Sequence, residues 1–284
     1  MKNLRKPYLC QAHNSGSILV VSLWILVFFM ILGTGLYGIV SSQISVARAV
    51  QERTLGPYLA QSAFQLCRLE CSSDSVNFNN LRGLTKKREK QLGDGKFIYS
   101  LQDEESKINI NMASKEVLVA LPDLDENLAK KIIEIRNKFG RFEIKEEILL
   151  VEGLSLEIYN NLKDFITVYG DGKLNLNTAS AQALKAIGFR EDLIAGLLEF
   201  RAGPDGEVGT EDDLVMGTVE GDLALGYYIS ELSRTDLLNA VSNGQVTYTS
   251  KNFTIFIETE ILNRSAVKYT IITDWSKINR WSEQ

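Results

Sequence analysis

Histidine is almost missing from this sequence: one residue in 284, with three cysteines, four prolines and three tryptophans. The lone His13 and one of the cysteines, Cys10, precede the first apolar run, so a chain shortened there would hold no imidazole. That excludes His-based acid–base catalysis, Ser-His and Cys-His nucleophile pairs, and ordinary zinc-hydrolase sites. Cys67 and Cys71 remain, spaced four apart in a stretch of helical periodicity. Two thiols are too few for a zinc site, and a disulfide between i and i+4 strains an intact helix. They are read as small buried apolar side chains, with a local or intersubunit disulfide as the alternative. Basic excess is also lacking: 31 Lys and Arg face 36 Asp and Glu, a net charge of −5. That balance suits neither nucleic acid nor anionic lipid. No catalytic residues are assigned, and the chain is read as non-enzymatic.

Charge disappears altogether over residues 17–40, SILVVSLWILVFFMILGTGLYGIV. At 1.5 Å per residue this run reaches about 36 Å, enough for a hydrocarbon core of about 30 Å with some tilt. Lys2, Arg5 and Lys6 precede it with no acid among residues 1–16. Those bases place the N-terminus in the cytoplasm and the bulk of the chain across the membrane. A secretory signal peptide is cleaved after its apolar stretch, at small residues. Here the small-residue junction, Gly16 followed by Ser17, stands before the stretch, as in a type IV prepilin leader that is cut there and keeps its apolar helix. A signal anchor that happens to follow a Gly reads the same. Removing residues 1–16 takes away three bases and no acids, which leaves 28 bases against 36 acids, or −8.

Helical spacing continues from Ser41 to Glu70, with Ile44, Ala47 and Val50 on one stripe and Leu59, Ala63, Leu66 and Leu69 on another. Gly56-Pro57 is the expected kink. Residues 71–95 read as polar and irregular, and Lys86-Lys87-Arg88 as a solvated loop face. KFIYSLQD, residues 96–103, alternates as a strand. A duplication follows: Ile108-Asn109-Ile110-Asn111-Met112-Ala113-Ser114 recurs as Leu174-Asn175-Leu176-Asn177-Thr178-Ala179-Ser180. Ile132-Ile133-Glu134-Ile135-Arg136 likewise returns as Leu197-Leu198-Glu199-Phe200-Arg201. Each copy ends its opening phrase on a Ser suited to a helix N-cap, followed by a short helix, a tight turn and a longer helix. A further helix–turn–helix is expected between them, at 145–150 and 156–165. Residues 246–262 and 266–274 read as a hairpin with one apolar face, which needs a third element to be stable. Residues 215–228 show no pattern and are expected as loop.

The hairpins resemble the helix-hairpin-helix modules of competence DNA receptors, through NINMASKEVLVALPDLDENLAKKIIEIRNKFGRF. A DNA-binding hairpin turns on Gly-hydrophobic-Gly so that backbone N–H groups reach a phosphate. Asp123-Leu124-Asp125 stands there instead, while Glu152-Gly153-Leu154-Ser155 and Gly188-Phe189-Arg190-Glu191 keep one Gly each. Two carboxylates at the phosphate seat oppose binding, so the hairpins are read as a packing scaffold without a nucleic-acid partner. Next comes an acidic loop, 203–213, with five carboxylates and three glycines. Oxygen-only donors at this density suit a hard cation such as Ca2+, with Asp205, Asp212 and Asp213 the leading ligands and Glu207 and Thr210 behind them. A solvated acidic turn is the other reading; the register is not that of an EF-hand.

Taken in order, the Gly16–Ser17 junction, span and stalk, LNLNTAS phrase, acidic loop and closing strands resemble the minor pseudopilin K family of type II secretion (general secretion pathway protein K). The resemblance covers nearly the whole length. It implies an α+β fold: an N-terminal transmembrane and stalk helix, then a pilin-like antiparallel β domain interrupted by a large helical insert. The boundaries expected are 1–16 leader, 17–40 span, 41–72 stalk, 73–107 first β part, 108–245 insert and 246–284 closing strands. It further implies cleavage between Gly16 and Ser17 by prepilin peptidase with N-methylation of Ser17, bound calcium, and residence in a bacterial inner membrane with the bulk periplasmic. Implied partners are minor pseudopilins I, J and H at the pseudopilus tip, with secreted cargo or the outer-membrane secretin beyond. Counting from Ser17, the fifth residue is Val21, where most pilins carry a Glu that pairs with a neighbour's N-terminal amine. A terminal subunit has no need of that carboxylate. The alternatives are a membrane-anchored competence-type DNA receptor and an anchored hydrolase.

Overall fold

The computed structural model describes residues 15–72, 78–217, 223–261 and 264–283. Its contacts gather into two units, divided between Thr54 and Leu55. The described residues of the first are all helical and belong to α1 (Ser15–Ser72), whose closing turns fall in the second unit. Within this unit the large apolar side chains from Ile18 to Val50 are exposed. Its hydroxyls do not disturb an apolar surface, because Ser22 donates to the Leu19 carbonyl at 2.9 Å and Thr34 to that of Ile31 at 2.9 Å. Polar groups satisfied on their own helix are what a hydrocarbon environment demands.

The second unit is built on a five-stranded antiparallel sheet in the order β1-β2-β7-β8-β9. These strands are β1 (Arg88–Leu92), β2 (Gly95–Asp103), β7 (Phe253–Ile261), β8 (Arg264–Thr273) and β9 (Ile278–Glu283). Alternation decides the faces: every second residue of β2, from Gly95 to Asp103, is buried. Phe97, Tyr99 and Leu101 join Phe253, Ile255, Ile257, Tyr269 and Ile271 to cover one face. The last turns of α1 pack there through Leu59, Ala60, Ala63, Phe64 and Cys67, a helical stripe whose larger members each contribute about 1.5–3 kcal/mol on burial. Two glycines permit the close approach. A Cβ at Gly56 would lie 2.6 Å from the Tyr269 hydroxyl, and one at Gly95 would lie 2.7 Å from a Leu59 methyl. Pro57 lies inside the helix, and the helical assignment continues through the expected kink. Cys67 is fully buried, and Cys67 and Cys71 are not joined in a disulfide; burial, then Glu70, pushes the Cys67 thiol far above its usual range.

The expected hairpin with its third strand and stalk helix is present, with corrections. The run 246–262 is two strands: β6 (Val246–Thr247) pairs elsewhere, and β7 starts only at Phe253. The edge strands β1 and β9 escaped the periodicity because their side chains are mostly solvated. Arg88 is no solvated loop residue. Its guanidinium stacks over Phe78 at 5.4 Å and Tyr99 at 5.8 Å and donates to the Gly83 carbonyl at the end of the sheet.

Asp103 and Phe253 are register partners on neighbouring strands, so the chain leaves the sheet and re-enters it at one point. Between them lies the helical insert. Its first copy runs β3 (Ile108–Asn109), α3 (Lys115–Val119), α4 (Glu126–Phe139), a 3-10 turn (Lys145–Leu150), α5 (Leu156–Leu162) and β4 (Ile166–Thr167). The second runs β5 (Leu174–Asn175), α6 (Ala181–Ala186), α7 (Glu191–Ala202), a 3-10 turn (Leu223–Tyr227), α8 (Glu231–Ser242) and β6. The segment at 145–150, expected as a helix, is a 3-10 helix, and α8 is an element the sequence did not disclose. Part of 215–228, expected as loop, is that second 3-10 turn; residues 218–222 lie outside the described residues.

Candidate functional site

The duplication has a mechanical meaning. Each opening phrase forms a two-residue parallel ladder, β3 with β4 and β5 with β6. The second Asn of each phrase staples distant backbone: Asn111 accepts from the Phe142 amide at 2.7 Å and donates to its carbonyl at 2.9 Å. Asn177 accepts from the Met216 amide at 2.7 Å and donates to the carbonyls of Met216 at 2.9 Å and Tyr248 at 2.8 Å. The paired arginines close each unit. Arg136 donates to the carbonyls of Ile110 and Ala113, and Arg201 to those of Leu176 and Ala179. Burial pushes the Arg201 guanidinium down to about 10. Two scaffolds are therefore held by the residues that repeat.

The hairpin turns are where a nucleic acid would dock. Asp123, Gly153 and Gly188 occupy equivalent left-handed positions, with φ of +58°, +93° and +94°. The apolar residues that follow, Leu124, Leu154 and Phe189, are buried as turn anchors. The third position caps the next helix. Asp125 accepts from the Leu128 amide at 2.7 Å, Ser155 from Ile158 at 3.2 Å, and Arg190 supplies no side-chain cap. A carboxylate thus fills the N-terminus of α4, the place where a phosphate would meet free N–H groups. Asp123 beside it is held by the Asn161 amide at 2.7 Å.

The acidic loop is ordered by its own amides. Asp212 accepts from the Asp205 amide at 2.9 Å and the Thr210 hydroxyl at 2.6 Å; that hydroxyl, then the backbone, holds the Asp212 carboxyl below its usual range. Asp213 accepts from Gly209 and Thr210 N–H groups, and Asp205 from that of Glu207. Gly203, at φ +67°, lies so close to the Asp212 carbonyl that no Cβ fits. The expected ligands Asp205, Glu207, Thr210, Asp212 and Asp213 are therefore neighbours in one loop. Their donors are all oxygen, as a hard cation needs. Yet the carboxylates face backbone amides, and among the described residues no group of three or more His, Cys, Asp or Glu is arranged to hold a metal. The amide bonds use only part of the acceptor capacity of Asp212 and Asp213, which leaves lone pairs for a cation.

Gly16 and Ser17 fall in the first turn of α1, and leader residues 1–14 lie outside the described residues. α1 is long and apolar enough to cross a membrane, with a mean hydropathy of 2.5 over its best window. It fits a single-pass anchor.

One constellation was not legible in the sequence. At the point where the insert leaves the sheet, Asp103, Glu104, Glu105 and Lys107 are all buried. Asp103 takes hydrogen bonds from Asn175, Thr178, Ser250 and the Glu105 amide. Burial still holds its carboxyl above the usual range, as it does for Glu105. Glu104 is opposite: burial would raise it, but Lys107 at 2.8 Å and the Thr167 and Thr254 hydroxyls bring it below. In sequence, Asp-Glu-Glu-Ser-Lys looks like any solvated turn.

Comparison with known proteins places these features. A family model described as a helix-hairpin-helix motif matches residues 103–167. Curated relatives include the endonuclease/exonuclease/phosphatase family domain-containing protein 1 of Xenopus laevis, 28% identical over 135 residues, 39% of this chain and 24% of that protein. The Bos taurus protein of the same name is 25% identical over 185 residues, 52% of this chain and 32% of that one. The chain thus spans about a quarter to a third of the length of these relatives. Among solved structures, a chain in the crystal structure of the GspK-GspI-GspJ complex from the enterotoxigenic Escherichia coli Type 2 Secretion System is similar. The TM-score is 0.58 at 15% identity, covering 84% of this chain and 99% of that one. At that identity the likeness is one of fold: α+β and pseudopilin-like, with a helix-hairpin-helix element in its insert.

Proposed function

We propose that this chain is a non-catalytic minor pseudopilin of the type II secretion system, of the K kind, that caps the periplasmic pseudopilus and primes its assembly. The observation that carries this reading is the fold likeness to a chain of the GspK-GspI-GspJ complex across nearly all of that chain. Prepilin peptidase cuts between Gly16 and Ser17 and Ser17 becomes N-methylated. The apolar helix then holds the protein in the inner membrane with its bulk in the periplasm. Minor pseudopilins I, J and H are its partners; secreted cargo or the secretin meets the insert. The loop of Asp205, Glu207, Thr210, Asp212 and Asp213 binds Ca2+.

Mass spectrometry of the membrane-extracted protein tests the reading directly. An N-methylated Ser17 is expected, together with co-purification of pilin-like partners. A native chain that begins beyond residue 40, or that stays alone when candidate partners are co-expressed, overturns it. A second reading, duplex DNA binding through the hairpins, is favoured by the match to the helix-hairpin-helix motif over 103–167. It is opposed by Asp125 in the phosphate seat. A gel shift at low salt separates the two: no retardation is expected, and retardation that falls steeply with salt would establish the DNA reading.

A further inference from the structure

The sheet face opposite α1 carries a cavity of about 430 Å3, walled by that face and by the second hairpin of the insert. Its charge runs against the rest of the molecule. Lys107, Lys145, Lys163 and Arg280 line it with only Glu104 and Glu146 among them, whereas the whole chain carries −5. Two of the cations are already neutralised: Lys107 by Glu104 at 2.8 Å and Arg280 by Glu146 at 3.0 Å. The other two are not. The Lys145 ammonium donates to the Lys163 carbonyl at 3.1 Å, and the Lys163 ammonium to the Asn160 side chain at 3.1 Å. Among the described residues neither ion-pairs with a carboxylate. Burial, then the neighbouring Lys107, pulls the Lys145 ammonium below its usual range, against the pull of Glu104, Glu146 and the more distant Asp164. An arriving anion relieves that strain on the cation.

We infer that this cavity binds an organic carboxylate with an aliphatic body, such as the C-terminal residue of a polypeptide. Four cations and two carboxylates line the cavity, which leaves a net charge of +2, and a single carboxylate answers one unit of it. A phosphate dianion would match that charge but leave the apolar part of the wall without a partner. Part of the remaining wall is apolar, with Val168, Phe256 and Ile272 lining the cavity beside the hydroxyls of Thr254, Thr270 and Ser282; the apolar part suits alkyl groups and gives an inorganic ion nothing. The volume lies within the range of small-molecule sites. This inference does not depend on the pseudopilin reading.

The test is isothermal titration calorimetry on the full chain in detergent micelles, with three probes: acetyl-Leu-Val bearing a free carboxylate, its C-terminal amide, and inorganic phosphate. The free acid is expected to bind, the amide at least tenfold more weakly, and phosphate not to displace the acid. A K145Q/K163Q variant is expected to lose at least tenfold in affinity for the acid at an unchanged melting temperature. Absence of acid binding, equal binding of the amide, displacement by phosphate, or a variant that keeps its affinity overturns the proposal. The acid–amide comparison on unaltered protein stands even where the variant fails to fold.

Discussion

Removing one amide side chain should separate the two copies of the duplicated phrase. Asn177→Ala deletes three hydrogen bonds and leaves the Met216 N–H and C=O without partners in the interior, where Met216 is 1% exposed. Each buried orphan costs about 1–3 kcal/mol, so the two together cost roughly 2–6 kcal/mol. The third group, the Tyr248 carbonyl, is only part-buried at the bond, and water can take it over. Asn111→Ala removes the corresponding contacts to Phe142 and Val168, all part-buried. Phe142 is itself buried, but Asn111 is only half-buried and water can enter in its place, so the cost is smaller, about 1–2 kcal/mol. Set against a total of about 5–15 kcal/mol, the first variant threatens the fold and the second does not. For a unit of this size each kcal/mol moves the midpoint by about 2–4 °C, so a drop of at least about 4 °C is expected for Asn177→Ala. Thermal melts by circular dichroism, with urea titrations to check an unchanged slope, measure both. If Asn177→Ala lies within about 0.5 kcal/mol of the parent, or Asn111→Ala costs as much, the staple argument is wrong.

Glu104→Gln should cost about 3–5 kcal/mol at neutral pH by stranding the Lys107 ammonium. Because the folded Glu104 carboxyl is held below its usual value, its contribution is present above the unfolded pKa and lost as pH falls through the folded one. The gap between variant and parent in urea titrations should then shrink below about pH 4.5, and a pH-independent gap would falsify the assignment. Among the described residues the buried Tyr269 hydroxyl has no hydrogen-bond partner, and it lies 2.6 Å from where a Cβ on Gly56 would stand. Tyr269→Phe should be neutral or stabilising, Gly56→Ala destabilising by about 1–3 kcal/mol, and the double variant should recover most of that loss in melting experiments. Calcium at a hundredfold excess over its dissociation constant should add about 2.7 kcal/mol to the folded state. Asp212→Asn with Asp213→Asn should abolish the gain, and a melting point unmoved by millimolar calcium counts against the loop as a site.

Three kinds of pattern could be read along the chain because they are one-dimensional. An uncharged run announced α1. Period-two alternation announced β2, β7 and β8, since one face of each packs on a helix. A repeated phrase announced the two scaffolds, because the same Asn and Arg perform the same backbone repairs in each. Where no side chain is fully buried on either face, as along β1 and β9, no period exists to find. α8 was hidden by its mixture of polar and apolar residues, and its place comes from packing on α7 and pairing through β6.

The amino-acid order by itself settled which stretches are apolar, which alternate and which repeat, for those properties reside in successive residues. Folding in three dimensions decided the rest. Asp103, Glu104 and Glu105 look like a solvated turn until Asn175 and Ser250 bond the first, Thr254 the second and Asn252 the third, from 72 to 150 residues away. Lys145 and Lys163 look like surface charges until the far face of the sheet closes over them. The cost of burying a charge is set by its surroundings, and those surroundings are assembled by contacts between distant segments.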